Sequence, residues 1–128
     1  MRIKVVGPCA SGKSMLAAGL RTLGYDARSA AQDHSYVPDM WQRLDPPDVL
    51  IYLDLTLETA RRRGRIGWDQ KYLDEQSHRL RHARAHCHLY LPTDGLTEEE
   101  VLGRALDFLQ QLGNETSPTV NDESIEKK

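Results

Sequence analysis

Apolar and polar positions change period several times along this chain, from strand-like runs to helix-like spacing and back. Arg2-Ile3-Lys4-Val5-Val6 predicts a buried strand, and the stretch from Met15 to Leu23 follows with helical apolar spacing. Gly24 supplies a helix stop, and the small and polar stretch from Tyr25 to Ala31 predicts a modest second strand. Asp48-Val49-Leu50-Ile51-Tyr52-Leu53-Asp54 is apolar on both faces, as in a buried parallel sheet, and ends on a carboxylate. Thr56 or Thr59 caps a helix through Glu58 to Arg63 that Gly64 closes. From Asp69 to about Ala85 the helical period places Leu73, Gln76, Leu80, Ala83 and Cys87 on one face. His88 to Asp94 predicts a last strand, and Thr97-Glu98-Glu99-Glu100 is a capping box. The helix it opens turns Val101, Leu102, Ala105, Leu106, Leu109 and Leu112 to the core and stops at Gly113.

Strands that alternate with helices predict an α/β fold: a single three-layer domain on a short, mostly parallel sheet. Between the second strand and the strand at Asp48 lies a loop from Gln32 to Leu44, with a short helix starting at Pro38, punctuated by Asp45-Pro46-Pro47. A chain of 128 residues fits one domain, assigned to residues 1–113. Residues 114–128 are polar and charged with only two isolated aliphatics, and read as a disordered tail.

One segment carries chemistry. Gly7-Pro8-Cys9-Ala10-Ser11-Gly12-Lys13-Ser14 matches the phosphate-binding pattern G-x-x-x-x-G-K-[ST] in full, between a predicted strand and a predicted helix. Gly7 and Gly12 allow a tight turn and close approach of the backbone to phosphate oxygens. The amides from Ser11 to Met15 then form an anion-binding nest at a helix N-terminus. Lys13 supplies a point charge for the β- and γ-phosphates, and Ser14 is placed to give its hydroxyl to Mg²⁺. The pattern resembles that of P-loop NTPases, and a nucleoside triphosphate site is the expectation.

Ligands of parallel sheets bind at the carboxyl ends of strands, where Asp33, Asp54 and Asp94 also fall. Asp54 ends an apolar strand and is a candidate for holding a Mg²⁺-bound water. Asp33, a loop carboxylate after strand two, is the candidate acid or base facing the γ-phosphate. His78, His82 and His86 recur at helical spacing, on the side opposite Leu73 and Leu80, and read as a solvated stripe.

Composition removes other classes. A net charge of −2 with interspersed signs gives no nucleic-acid or membrane surface, and no apolar run suits a transmembrane helix. Cys9 and Cys87 are distant and unpaired in spacing, which fits a reducing cytoplasm. The first segment is expected to be a core strand and not a signal peptide.

From Pro47 to Gly113 the chain resembles the second half of thymidylate kinase and related P-loop nucleoside and nucleotide kinases. Pro47-Asp48-Val49-Leu50-Ile51-Tyr52-Leu53-Asp54, Glu58-Thr59-Ala60-Arg61-Arg62-Arg63 and Thr97-Glu98-Glu99-Glu100-Val101 carry the likeness. Asp33 resembles the strand-two aspartate of shikimate-type kinases. The resemblance implies that Arg61, Arg62, Arg63 and Arg65 form a lid whose arginines neutralise phosphate or stack on adenine, with Arg61 and Arg65 assigned to catalysis beside Lys13 and Asp33. The chain departs from those kinases in having only residues 25–47 between Gly24 and Asp48, where the phosphate acceptor is gripped in the family. The expectation is an ATP-binding P-loop protein that uses Mg²⁺ and transfers the γ-phosphate to a small molecule. The alternative is a nucleotide-binding regulatory or docking module without phosphotransfer.

Overall fold

A computed structural model describes residues 2–8, 10–29 and 47–116. Cys9, Asp33 and the loop from Gln32 to Leu44, with the short helix expected from Pro38, lie outside the described residues. So does the tail from residue 117 onward.

The strands are β1 (Arg2–Val6), β2 (Asp26–Ser29), β3 (Val49–Asp54) and β4 (Leu89–Pro92). The helices, in chain order, are α1 (Lys13–Thr22), α2 (Leu57–Arg62), α3 (Gln70–Arg79), α4 (Arg81–His86) and α5 (Glu98–Thr116). The strands build one sheet in the order β2-β1-β3-β4, and each pairing is parallel. The mostly parallel sheet expected from the alternation is thus wholly parallel among the described residues. Asp48 sets the register at the start of β3: its carboxylate accepts from the Arg2 amide at 2.7 Å and its own amide donates to the Arg2 carbonyl at 2.9 Å.

Alternation along β3 feeds two cores. Ile51 and Leu53 join Ile3, Val5, Leu16, Leu20, Val101, Ala105 and Leu109, packing α1 and α5 on one face. Leu50 and Tyr52 join Val6, Leu80 and Ala83, packing the α3–α4 segment on the other. Every residue from Val49 to Leu53 is buried, which explains why the run reads as continuously apolar. A third cluster of Leu55, Ala60 and Leu73 seats α2 near the Gly7–Ser14 segment, with Ala10 and Trp68 packed against it.

Several boundaries differ from the sequence reading. The helix expected from Asp69 to Ala85 is two helices meeting at Leu80. The Leu80 amide is shared between the Gln76 and Ser77 carbonyls at 3.1 and 3.2 Å, which tightens one turn without turning the apolar face away. Leu73, Gln76, Leu80 and Ala83 are all buried as the period requires, while Cys87 is half-buried at the helix end. Gly113 does not stop α5, which continues to Thr116. The Thr97 capping box forms with both reciprocal bonds, Thr97 amide to Glu100 at 2.8 Å and Glu100 amide to Thr97 Oγ1 at 3.1 Å. No helix among the described residues is long and apolar enough to cross a membrane.

Candidate functional site

From β1 the chain passes to β2 on one side and later to β3 on the other. The carboxyl ends of β1 and β3 therefore flank the switch point where parallel sheets form ligand crevices. The segment Gly7–Ser14 leaves β1 at this point. A Cβ on Gly7 would collide with the Leu53 carbonyl oxygen and lie 2.7 Å from Ser11 Oγ, so only glycine lets the loop pack against β3. Gly12, the N-cap of α1, sits at φ 98, a left-handed value that glycine adopts without strain. No heavy atom lies within 4 Å of a Cβ built there, so its outer side is open.

The loop has the features of an anion cradle. The first helical bond of α1 runs from the Leu16 amide to the Gly12 carbonyl, and no side chain caps Gly12. The amides of Ser14 and Met15 precede that ladder and stand at the positive end of the helix dipole. Lys13 Nζ donates to the Gly7 carbonyl at 3.0 Å, spanning the loop from its last turn to its first residue. Ser11 is 1% exposed, and its Oγ has no hydrogen-bond partner among the described residues. A buried hydroxyl left this way costs free energy that a bound acceptor would recover.

Beside the loop opens a cleft of about 410 Å³, lined by Ala10, Ser11, Gly12, Met15 and Leu16 on one side and by Thr93, Leu96, Thr97, Glu98 and Val101 on the other, with Arg63 at its wall. That volume lies in the range of small-molecule sites, about 300–1,000 Å³. Met15, 54% exposed, gives the cleft an apolar lip.

The arginines expected to act together take separate places. Arg61 donates to the Trp68 carbonyl through Nε and Nη2, at 3.0 and 2.7 Å, closing the turn after α2. Arg62 reaches Thr59 Oγ1, and the Arg65 guanidinium lies 5.9 Å from the centre of the Trp68 ring. Arg63 alone of the four is bonded to the loop, donating to the Ala10 carbonyl at 2.7 Å. Its other bonds go to Thr93, the residue after β4. Sequence spacing could not select it, because consecutive arginines on a short helix differ only in direction.

Asp94 holds the opposite end of α2. Its Oδ1 accepts from the Thr56 amide, Thr56 Oγ1 and Thr59 Oγ1 at 2.8, 2.9 and 2.5 Å. Burial alone would raise its pKa; the hydrogen bonds from Thr59 and Thr56 outweigh burial and hold the carboxyl below the usual aspartate range. Asp94 is therefore a clip between α2 and the β4–α5 loop.

Neither a family model nor a curated protein matches the chain.

Asp54 lies on the α3–α4 face, where its Oδ1 accepts from the Leu55 amide at 2.8 Å and its Oδ2 from the Tyr90 hydroxyl at 2.5 Å. Tyr90 stacks on Tyr52 at 5.8 Å between ring centres, as their pairing in register demands, and the Arg84 guanidinium sits 4.9 Å over the Tyr90 ring. Burial, the hydrogen bond to Asp54 and the Asp54 charge all push the Tyr90 phenol up. This partnership has no signature in sequence beyond Arg84 falling near an apolar face. Among the described residues no group of three or more His, Cys, Asp or Glu side chains could hold a metal ion. The His82 and His86 rings stack at 4.2 Å between centres.

Proposed function

We propose that this chain is a P-loop protein that binds ATP through Gly7–Ser14 and transfers its γ-phosphate to a small molecule. The observation that carries the reading is the open cradle itself. Left-handed Gly12 and its neighbour Ser11, whose buried hydroxyl has no partner among the described residues, line a cleft of small-molecule size, and Lys13 reaches back across the loop to the Gly7 carbonyl. In this reading the α1 amides and Lys13 bind the β- and γ-phosphates, while Met15, Leu96 and Val101 supply an apolar wall for the rest of the nucleotide.

Phosphoryl transfer asks the protein for placement and charge, with little covalent chemistry. Ser14, exposed in the first turn of α1, is the residue that would hold Mg²⁺, which supplies charge neutralisation between the phosphates when bound. Asp54 fits the ion less well, because both carboxylate oxygens are engaged and it belongs to the face away from α1. Asp33 is the proposed base, and Arg61 and Arg65 would have to leave Trp68 to reach phosphate.

That last point favours a second reading, a nucleotide-binding module without turnover, in which the arginines stay on Trp68. Incubating the purified protein with γ-labelled ATP and metabolite pools separates the two. Label transferred to a small molecule supports the kinase. Saturable ATP binding without transfer or hydrolysis supports the module, and no binding removes both.

A further inference from the structure

Arg63 stands just past the last residue of α2, and Gly64, at φ 101, turns the chain away immediately after it. This placement sends the guanidinium back toward β1 and β4. Nη1 donates to the Ala10 carbonyl at 2.7 Å and to Thr93 Oγ1 at 3.1 Å, and Nη2 donates to the Thr93 carbonyl at 2.9 Å. Thr93 is fixed in turn, its amide and hydroxyl both donating to the Asp54 carbonyl. The guanidinium thus joins the phosphate loop to the end of the sheet.

Ala10 is where the loop most needs such a partner. It adopts φ 69, the one positive value outside glycine among the described residues, and an alanine in that region is disfavoured. The next amide, of Ser11, closes a turn on the Pro8 carbonyl at 3.2 Å, and Gly12 follows in the left-handed region. Fixing the Ala10 carbonyl therefore fixes the peptide plane that begins the cradle.

We infer that Arg63 is a positioning residue for the phosphate loop: through the Ala10 carbonyl it sets the loop conformation before a nucleotide arrives, and it does not act as a phosphate-contacting lid arginine. The inference rests on reading Gly7–Ser14 as a triphosphate site. The planar fork matters as much as the charge, since it spans the Ala10 and Thr93 acceptors at once, and a lysine ammonium lacks that geometry.

The test uses the full chain as wild type, Arg63→Lys and Arg63→Gln. In nucleotide-free protein, amide hydrogen exchange at Ser11, whose amide closes on the Pro8 carbonyl, is expected to rise about tenfold or more in both variants, while β1, β3 and α5 keep wild-type rates. Affinities for ATP and ADP should fall by the same factor, again about tenfold, because both nucleotides need the same cradle. Unchanged loop exchange in Arg63→Lys overturns the inference. So does a loss confined to ATP, which marks a γ-phosphate contact, or faster exchange throughout the sheet, which marks a general structural role. Wild-type protein that binds neither nucleotide removes the triphosphate reading, and the exchange measurement still decides whether Arg63 governs the loop.

Discussion

The two faces of the sheet are built differently. On one, α1 and α5 bury a broad aliphatic layer against β1, β2, β3 and β4, and the cleft lies where that layer meets the Gly7–Ser14 loop. On the other, the α3–α4 segment covers a narrower layer in which Tyr52, Tyr90, Asp54 and Arg84 are stacked and hydrogen-bonded. The aliphatic face depends on close packing, while the aromatic face depends on the partners its polar atoms find. Stability and the cleft therefore share one side, and perturbations of the two sides should differ in kind.

The largest expected effect is on the aliphatic side. Leu20 is fully buried on the inner face of α1, and Leu20→Ala should cost about 2–5 kcal/mol in denaturant unfolding. Leu80→Ala removes a side chain that is equally buried but sits at the junction of two short helices, where the structure can collapse more easily. It should fall toward the lower end of the same range, about 2 kcal/mol. An equal or larger loss for Leu80 would erase the distinction between the faces.

Asp94→Asn should cost about 1 kcal/mol, since it weakens three accepted hydrogen bonds at a partly exposed site. Because the folded-state pKa of Asp94 is depressed, its contribution is present above the unfolded value near 4 and is lost as the pH falls through the lower folded value. Thermal unfolding followed across the acid range should show the wild type losing part of its advantage over Asp94→Asn. A constant difference down to the acid limit would contradict the clip.

The smallest effect belongs to the aromatic face. The Tyr52 hydroxyl is buried without a hydrogen-bond partner among the described residues, and burial followed by the Asp54 charge drives its pKa far up, so it stays protonated. Tyr52→Phe should leave stability unchanged or raise it by up to about 1 kcal/mol. A clear loss of stability would mean that the hydroxyl has a partner that the geometry does not reveal.

The same contrast explains what could be read in the sequence. Local rules were enough to place Gly7–Ser14 between a strand and a helix, to find the continuously apolar β3, and to find the reciprocal bonds of Thr97 and Glu100. Buried Gln76 was legible because the helical period placed it between Leu73 and Leu80. Which arginine meets the loop was not legible. Arg61, Arg62 and Arg63 occupy successive directions, and the choice of Arg63 follows from where Asp94 and Thr56 anchor α2. The Tyr90–Asp54 pair likewise depends on the register that sets Tyr52 beside Tyr90, a relation between strands distant in sequence. The break at Leu80 left the buried face intact, so periodicity alone could not find it.

The central claim, that the phosphate loop and the cleft on the α1–α5 side form a nucleotide site, is tested most directly by titrating Mg–ATP into isotopically labelled wild type and Lys13→Ala while following backbone amide resonances. The account predicts saturable shifts in wild type at residues 10–16, Arg63 and residues 93–101, with Arg84, Cys87 and Tyr90 unmoved. It also predicts an affinity loss of about a hundredfold in Lys13→Ala from the missing charge-assisted contact. Absence of binding, shifts centred on the Tyr90 face, or undiminished affinity in Lys13→Ala would contradict it.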